Sequence, residues 1–197
     1  MEDIFNALVD SYVENKVGIA NNFLGISLAA NLKANLMGLY KDRLMTGGGT
    51  GNELIIAHDK LVRSDVIYWL DKTHNNPFEN DFFELMDRFV LHLNHTCYTG
   101  ITGYEFHYTL YEQGSFYQKH IDQFQHNGKR AFSMVMYLND QWKSPDGGEL
   151  CIHHEFAEQR IEPLNGRSVF FKSSELVHEV LITNKPRLSI TGWLKVS

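Results

Sequence analysis

Before residue 100, apolar side chains recur at helical spacing in three places. Ile4, Phe5, Leu8, Val9, Tyr12 and Val13 predict a first helix. In SLAANLKANLMGLYKDRLM, Leu28, Leu32, Leu36, Leu39 and Tyr40 form the stripe of a second, with Ser27 placed to cap it. NDFFELMDRFVLHLN predicts a third, with Phe82, Leu85, Met86, Phe89 and Leu93 along one side. From residue 104 the texture changes to short β-branched and aromatic runs: YEFHYTLYEQ, SFYQKHID, RAFSMVMYLN, GELCIHH, GRSVFFK, LVHEVLI and RLSITGWLKV. Turn-forming pieces such as SPDGG and PLNG separate them. Seven or eight short strands without intervening helices predict an antiparallel sandwich or barrel. The expected fold class is α+β, mainly β. Residues 1–95 are mostly helical support, residues 100–197 the β core, and 1–197 a single domain with no dividing linker or internal repeat.

Between the second and third helices lies MTGGGTGNELIIAHD. Gly47, Gly48, Gly49 and Gly51 raise a phosphate cradle, but Asn52 and Glu53 follow where such a loop needs Lys and then Ser or Thr. A flexible loop, able to close over a substrate, is the expectation. Net charge is −6, the isoelectric point is near 5.9, and no run of Lys and Arg occurs. That excludes the basic surface on which nucleic acids and anionic membranes depend. The two cysteines, Cys97 and Cys151, form no CxxC pair and read as reduced, buried thiols. MEDIFNALVDSYVENK is acidic and amphipathic rather than a targeting segment, and no stretch reaches the roughly 20 apolar residues of a membrane span. These features predict a soluble, cytoplasmic protein. The apolar helices suit a dimer interface as well as a core, so oligomeric state is left open.

The candidate chemistry begins in SFYQKHIDQF. On a strand, side chains alternate faces, so His120 and Asp122 point the same way and suit one ion. LVHEVLI offers His178 as a third ligand. Two histidines and a carboxylate on one face of an octahedron leave three positions open, as in non-haem Fe(II) oxygenases, although three protein ligands also match catalytic zinc. The other histidines lack such company. His153 and His154 are adjacent on a strand and face opposite ways. His92 and His95 sit near a helix C-terminus, where imidazolium favours the dipole. His58, His74, His107 and His126 have no paired ligand in sequence.

Nine residues after His178, Arg187 opens RLSITGWL. Arg187, Ser189, Thr191 and Trp193 share one face of that strand; Leu188, Ile190 and Leu194 share the other. A charged residue beginning an inward-bound strand is costly unless neutralised. A bound dicarboxylic acid would do so through a bidentate pair; a strand-end Arg reaching solvent is the plain alternative.

The order HxD, a distal His, then Arg nine residues later resembles the Fe(II)- and 2-oxoglutarate-dependent dioxygenases. It most resembles the prolyl 4-hydroxylase group, including the oxygen-sensing prolyl hydroxylases and their bacterial relatives. The matching pieces are YEQGSFYQKHID, MYLN, GGEL, NGRSVFF, VHEV and PRLSITGW, with weaker similarity at LVRSDVIYWL. The resemblance implies a double-stranded β-helix (jelly roll) with N-terminal supporting helices. It implies Fe(II) on His120, Asp122 and His178, with 2-oxoglutarate and O2 as cosubstrates and ascorbate as an optional reductant. Arg187 would hold the distal carboxylate of 2-oxoglutarate, helped by Tyr137 and Thr191, with Tyr111 lining the pocket. Arg130 and Trp193 match positions that contact a target prolyl segment, and Tyr117 fits the motif in a packing or functional role. Gln113 stands where the motif often has proline, which touches a turn. The implied reaction is hydroxylation of a prolyl residue in a protein substrate, releasing succinate and CO2. Hydroxylation of a free amino acid or small metabolite is the alternative. A nucleic-acid demethylase would usually carry a second Arg after the first, and Leu194 and Lys195 stand there instead.

Overall fold

A computed structural model describes residues 2–49, 61–123 and 129–197. Its helices are α1 (Glu2–Asn15), α2 (Ile26–Lys41) and α3 (Pro77–Cys97). The strands are β1 (Val17–Asn21), β2 (Thr46–Gly47), β3 (Val66–Trp69), β4 (Gly103–Tyr111), β5 (Tyr117–His120), β6 (Arg130–Tyr137), β7 (Leu150–His153), β8 (Glu158–Ile161), β9 (Arg167–Lys172), β10 (Val177–Val180) and β11 (Arg187–Lys195). They form a seven-stranded sheet, β1-β9-β6-β11-β4-β3-β2, and a four-stranded sheet, β5-β10-β7-β8. Every pairing of named strands is antiparallel. This is the expected mainly β architecture with helical support.

Alternation divides the large sheet between two cores. One face gives Phe106, Tyr108, Leu110, Met134, Met136, Phe170, Leu188, Ile190 and Leu194 to a cluster with Leu8, Leu32, Leu36, Phe82, Met86 and Phe89 from the helices. The other gives Val135, Tyr137, Val169 and Phe171 to a smaller cluster with Leu150, Ile152 and Ile161 of the second sheet. The layers therefore run helices, large sheet, small sheet. Gly192 lies on the helix-facing side of β11. A Cβ there would stand 2.2 Å from Glu105 O and 2.3 Å from the Phe106 ring, so only glycine lets that ring lie flat across the strand.

Several expectations need correction. Ser27 lies inside α2, whose N-cap is Gly25 with no side-chain cap bond. α3 starts at Pro77, three residues before the expected segment, because Asn76 accepts from the backbone N–H of Phe78 and Glu79 while Pro77 takes the first turn. Val13 is exposed, so the α1 stripe ends at Tyr12. β1 escapes a period-2 reading because α1 covers one face and the strand is buried nearly throughout. β8, EQRI, is a polar edge strand. The glycine-rich segment is not a free loop over 46–49. It pairs with β3, and Gly48 lets Arg63 approach so closely that a Cβ would meet Nε at 2.5 Å. The rest of that segment, with His58, and His126 lie outside the described residues. Cys97 is exposed; only Cys151 is buried, and both are free.

Phe89 touches the Phe5, Phe23 and Phe170 rings at centroid distances of 5.1, 5.1 and 5.8 Å and is fully buried. Phe89→Ala should therefore destabilise the fold by about 3–5 kcal/mol in urea unfolding. A loss below about 1 kcal/mol would mean that the helices do not close this core.

Candidate active site

β5 and β10 pair so that His120 stands opposite His178. Each ring is fixed the same way, by the carbonyl two residues back on its own chain. Nδ1 of His120 donates to Gln118 O at 2.7 Å, and Nδ1 of His178 to Leu176 O at 3.0 Å. That tautomer leaves both Nε2 lone pairs free for a metal. They converge on Asp122, whose Oδ1 lies 3.3 Å from His120 Nε2 and 3.6 Å from His178 Nε2. One donor atom from each residue falls within 4.8 Å of the others.

Asp122 is not aimed by strand alternation, because β5 ends at His120. Ser133 of β6 aims it, donating from Oγ to Asp122 Oδ2 at 2.6 Å, and Ser133 is in turn 2.8 Å from Ser173 Oγ. Sequence reasoning missed both serines. The available signal was one small polar residue in the otherwise apolar run AFSMVMY. Burial alone would raise the Asp122 carboxyl, but His178, His120 and the Ser133 hydroxyl outweigh it and hold it well below the usual carboxylate range. Burial pushes the His178 imidazole down, more than Asp122 pulls it up. The result is an ionised carboxylate between imidazoles turned nitrogen-first toward it, a donor set suited to a divalent ion with sites left open.

Tyr117 stacks on the His120 ring at 3.7 Å between centroids and 15° between planes. Arg63 lies over the other part of this stack, 4.4 Å from the Tyr117 centroid, and its fork is held by buried Asp65 at 2.7 and 2.5 Å. Tyr117 thus has a packing role, and the Arg63–Asp65 pair behind it was not singled out from sequence.

The polar inner face of β11 runs from Arg187 through Ser189 and Thr191 to Trp193. Tyr137 is registered opposite Ser189, and Ser133 opposite Trp193. Arg187 is 2 % exposed. Its Nε donates to Gly148 O at 2.8 Å, and its guanidinium lies 4.9 Å from the Tyr111 ring and 5.0 Å from the Tyr137 ring. Among the described residues no carboxylate pairs with it. Tyr137 Oη is buried beside the Arg187 guanidinium and meets no hydrogen-bond geometry among the described residues. A buried cation lacking an acid among the described residues, with a phenol beside it, suits an anionic ligand. Thr191 Oγ1 lies 3.3 Å from Ser189 Oγ on the same face. Lys185, the other candidate anchor, is engaged with Asp146 at 2.6 Å.

At the far end Arg130 covers the Trp193 ring at 3.4 Å and donates to Glu105 Oε1 from Nε at 3.0 Å and Nη2 at 2.9 Å. Its Nη1 reaches Asp122 O at 3.4 Å, so this pair adjoins the donor cluster. His107, given no role from sequence, is buried beside them. Its ring lies 5.7 Å from Trp193 and 4.9 Å from Trp69, and Nδ1 is 2.9 Å from Thr109 Oγ1. Burial and the Arg63 charge push its imidazole down to about 4.

Two facing antiparallel sheets with this donor triad have the architecture of a jelly-roll protein with a two-histidine, one-carboxylate metal site. Residues 106–195 match the model of the 2OG-Fe(II) oxygenase superfamily. A Pseudomonas putida prolyl-4-hydroxylase superposes with a TM-score of 0.87 at 30 % identity, covering 98 % of this chain and 100 % of that one. A Trichoplax adhaerens prolyl hydroxylase, solved with a hypoxia inducible factor peptide, gives 0.88 at 26 % identity, covering 98 % and 90 %. The hypoxia-inducible factor prolyl hydroxylase of Caenorhabditis elegans is 28 % identical over 191 residues, 89 % of this chain and 26 % of that protein. The chain spans 26 % of the length of that relative and 39 % of a PKHD-type hydroxylase from Maricaulis maris. The chain belongs to the 2OG-Fe(II) oxygenase superfamily. That family works with Fe(II), 2-oxoglutarate and O2, and the triad and anion seat fit that set. No helix among the described residues is long and apolar enough to cross a membrane.

Two outcomes test this geometry. Ser133→Ala frees one Asp122 oxygen to turn, so Fe(II) affinity in anaerobic calorimetry should fall about 10- to 100-fold with the circular dichroism spectrum unchanged. Unaltered affinity would show that Ser133 does not aim Asp122. The second concerns His107, which takes up a proton near 6.5 when unfolded but only near 4 when folded. Its contribution to stability is therefore complete above pH 6.5 and lost as pH falls toward 4, on the order of 3 kcal/mol. His107→Gln should flatten that part of the urea-stability profile. An identical slope in wild type and variant would place the titration elsewhere.

Proposed function

We propose that this chain is an Fe(II)- and 2-oxoglutarate-dependent dioxygenase that hydroxylates a prolyl residue of a protein substrate. The observation that carries the reading is Arg187, buried with no acid beside it among the described residues, on the same inner sheet face that leads to the His120, Asp122 and His178 donors. In this reading 1–197 works as one catalytic domain, in a reducing, cytoplasmic setting that suits its two free thiols, with ascorbate as an optional reductant.

His120, Asp122 and His178 hold the ion from one side. When bound, Fe(II) with 2-oxoglutarate and O2 supplies an oxidative decarboxylation that yields succinate and CO2 and inserts one oxygen into a C–H bond. Arg187 receives the distal carboxylate of the cosubstrate through its guanidinium, and Tyr137 Oη donates to the same group. Thr191 adds a hydroxyl, and Tyr111 closes the wall. Holding that carboxylate would let Arg187 and Tyr137 orient the cosubstrate, a positioning effect worth up to about 7–11 kcal/mol in favourable intramolecular cases. Tyr117, held by Arg63, keeps the His120 ring from swinging. Arg130 and Trp193 present a flat cationic and aromatic surface beside Asp122, and Trp193 Nε1, buried without a partner, offers a donor to a peptide carbonyl. The prolyl target is supported by the two solved prolyl hydroxylases that match nearly the whole chain, one of them holding a peptide.

Incubating the iron-loaded protein with 2-oxoglutarate and a proline-containing peptide library should yield succinate and single-oxygen additions on proline. Asp122→Ala should abolish succinate formation. Arg187→Ala should raise the 2-oxoglutarate requirement at least about 30-fold, the equivalent of losing about 2 kcal/mol of a buried charge pair. Oxygen addition confined to free amino acids or small metabolites would overturn the protein-substrate reading, and undiminished succinate from Asp122→Ala would overturn the triad.

A further inference from the structure

The outer face of the small sheet carries a second donor set. Along β7, Leu150 and Ile152 point into the inner core, so Cys151 and His153 point away from it. β8 registers Glu158 opposite His153, and β10 registers Glu179 opposite Cys151. One donor atom each from Cys151, His153 and Glu158 lies within 4.8 Å of the others. His153 and His154 do face opposite ways, as their adjacency predicts. That left out the residue two positions back and the one across the hairpin, with which His153 does converge.

The arrangement around His153 is specific. Its Nε2 lies 2.8 Å from Glu179 Oε1, and its Nδ1 lies 3.3 Å from Glu158 Oε1. With Nε2–H donating to Glu179, the Nδ1 lone pair is directed at the Glu158 side, the carboxylate–histidine–metal relay that orients a ligating imidazole. Cys151 is 1 % exposed, and its Sγ makes no hydrogen bond among the described residues. Two carboxylates thus crowd one imidazole and a buried thiol. The side-chain cation paired with them is Arg160, 61 % exposed and 3.7 Å from Glu158.

We propose that Cys151, His153 and Glu158 form a second metal site, separate from the His120 cluster, for a divalent cation of the zinc class, with Glu179 as the positioning residue for His153. Sulfur, nitrogen and carboxylate ligands around a tetrahedral zinc ion stand about 3.3–3.8 Å apart, given bonds of about 2.0–2.3 Å, and His153 Nδ1 and Glu158 Oε1 already stand 3.3 Å apart. A thiol and an imidazole disfavour magnesium and calcium, which take oxygen. Binding releases the thiol proton and joins the β7–β8 hairpin through Glu179 to the strand that carries His178.

Cobalt(II) alone, titrated into the metal-free full chain, separates the two sites by spectrum. A sulfur-to-cobalt charge-transfer band in the near ultraviolet can arise only where a thiolate binds, and the His120 cluster has no sulfur. The band should appear in the wild type, persist in His120→Ala and in Cys97→Ser, vanish in Cys151→Ser, and be displaced by zinc. Glu158→Gln, at a half-exposed position, should weaken cobalt binding at least about tenfold, and Glu179→Gln about 10- to 100-fold with the band retained. Absence of the band in folded wild type, or its survival in Cys151→Ser, would overturn the site. Should Cys151→Ser fail to fold, unchanged cobalt affinity in Glu158→Gln would overturn it instead.

Discussion

Strand β11 has to satisfy two environments at once, and the molecule is arranged around that requirement. Its even-numbered residues, Leu188, Ile190 and Leu194, are packed under the helices, while Arg187, Ser189, Thr191 and Trp193 face the other sheet. Because the side-chain period is two, a register slip of one residue would drive a guanidinium into the helical core and three aliphatic chains into the polar cavity. Register is therefore fixed by both faces together. β4 and β6 flank β11 over nearly its whole length, so Tyr111, Tyr137 and Ser133 inherit their positions from the same alignment. The helices matter to the site through this route: by burying one face they leave the other to chemistry.

Much of this was legible in the chain. The alternation of RLSITGWL sorted its residues onto the two faces correctly, and the spacing of HxD, distal His and Arg gathered the donors that meet in space. What the sequence hid follows from local physics. Asp122 leaves the strand before its own position, so its aim comes from Ser133, a contact between segments eleven residues apart that no periodicity encodes. β1 is covered on both faces and so lacks alternation, and β8 is a polar edge with nothing to alternate against. Ser27 resembled a cap because Ser is a good cap, but Gly25 already turned the chain. His107 looked unaccompanied because Trp69 and Trp193 come to it from the strands on either side of its own.

Charge gives the closing argument for where a cosubstrate sits. Other cations near this face have acids of their own: Arg63 is held by Asp65, Arg130 by Glu105 and Lys185 by Asp146. Arg187 is buried among tyrosine rings, accepted among the described residues by the Gly148 carbonyl and by no carboxylate, and burying a charge without a counterion costs several kcal/mol. The donor triad contributes one carboxylate against a divalent ion and so retains a net positive charge. A dianion that touches both cancels the two excesses together. A monoanion leaves one of them, and a neutral ligand leaves both. In the proposed reading, a dicarboxylate with one end at the metal and one at Arg187 meets that charge balance, an argument separate from any likeness to other proteins.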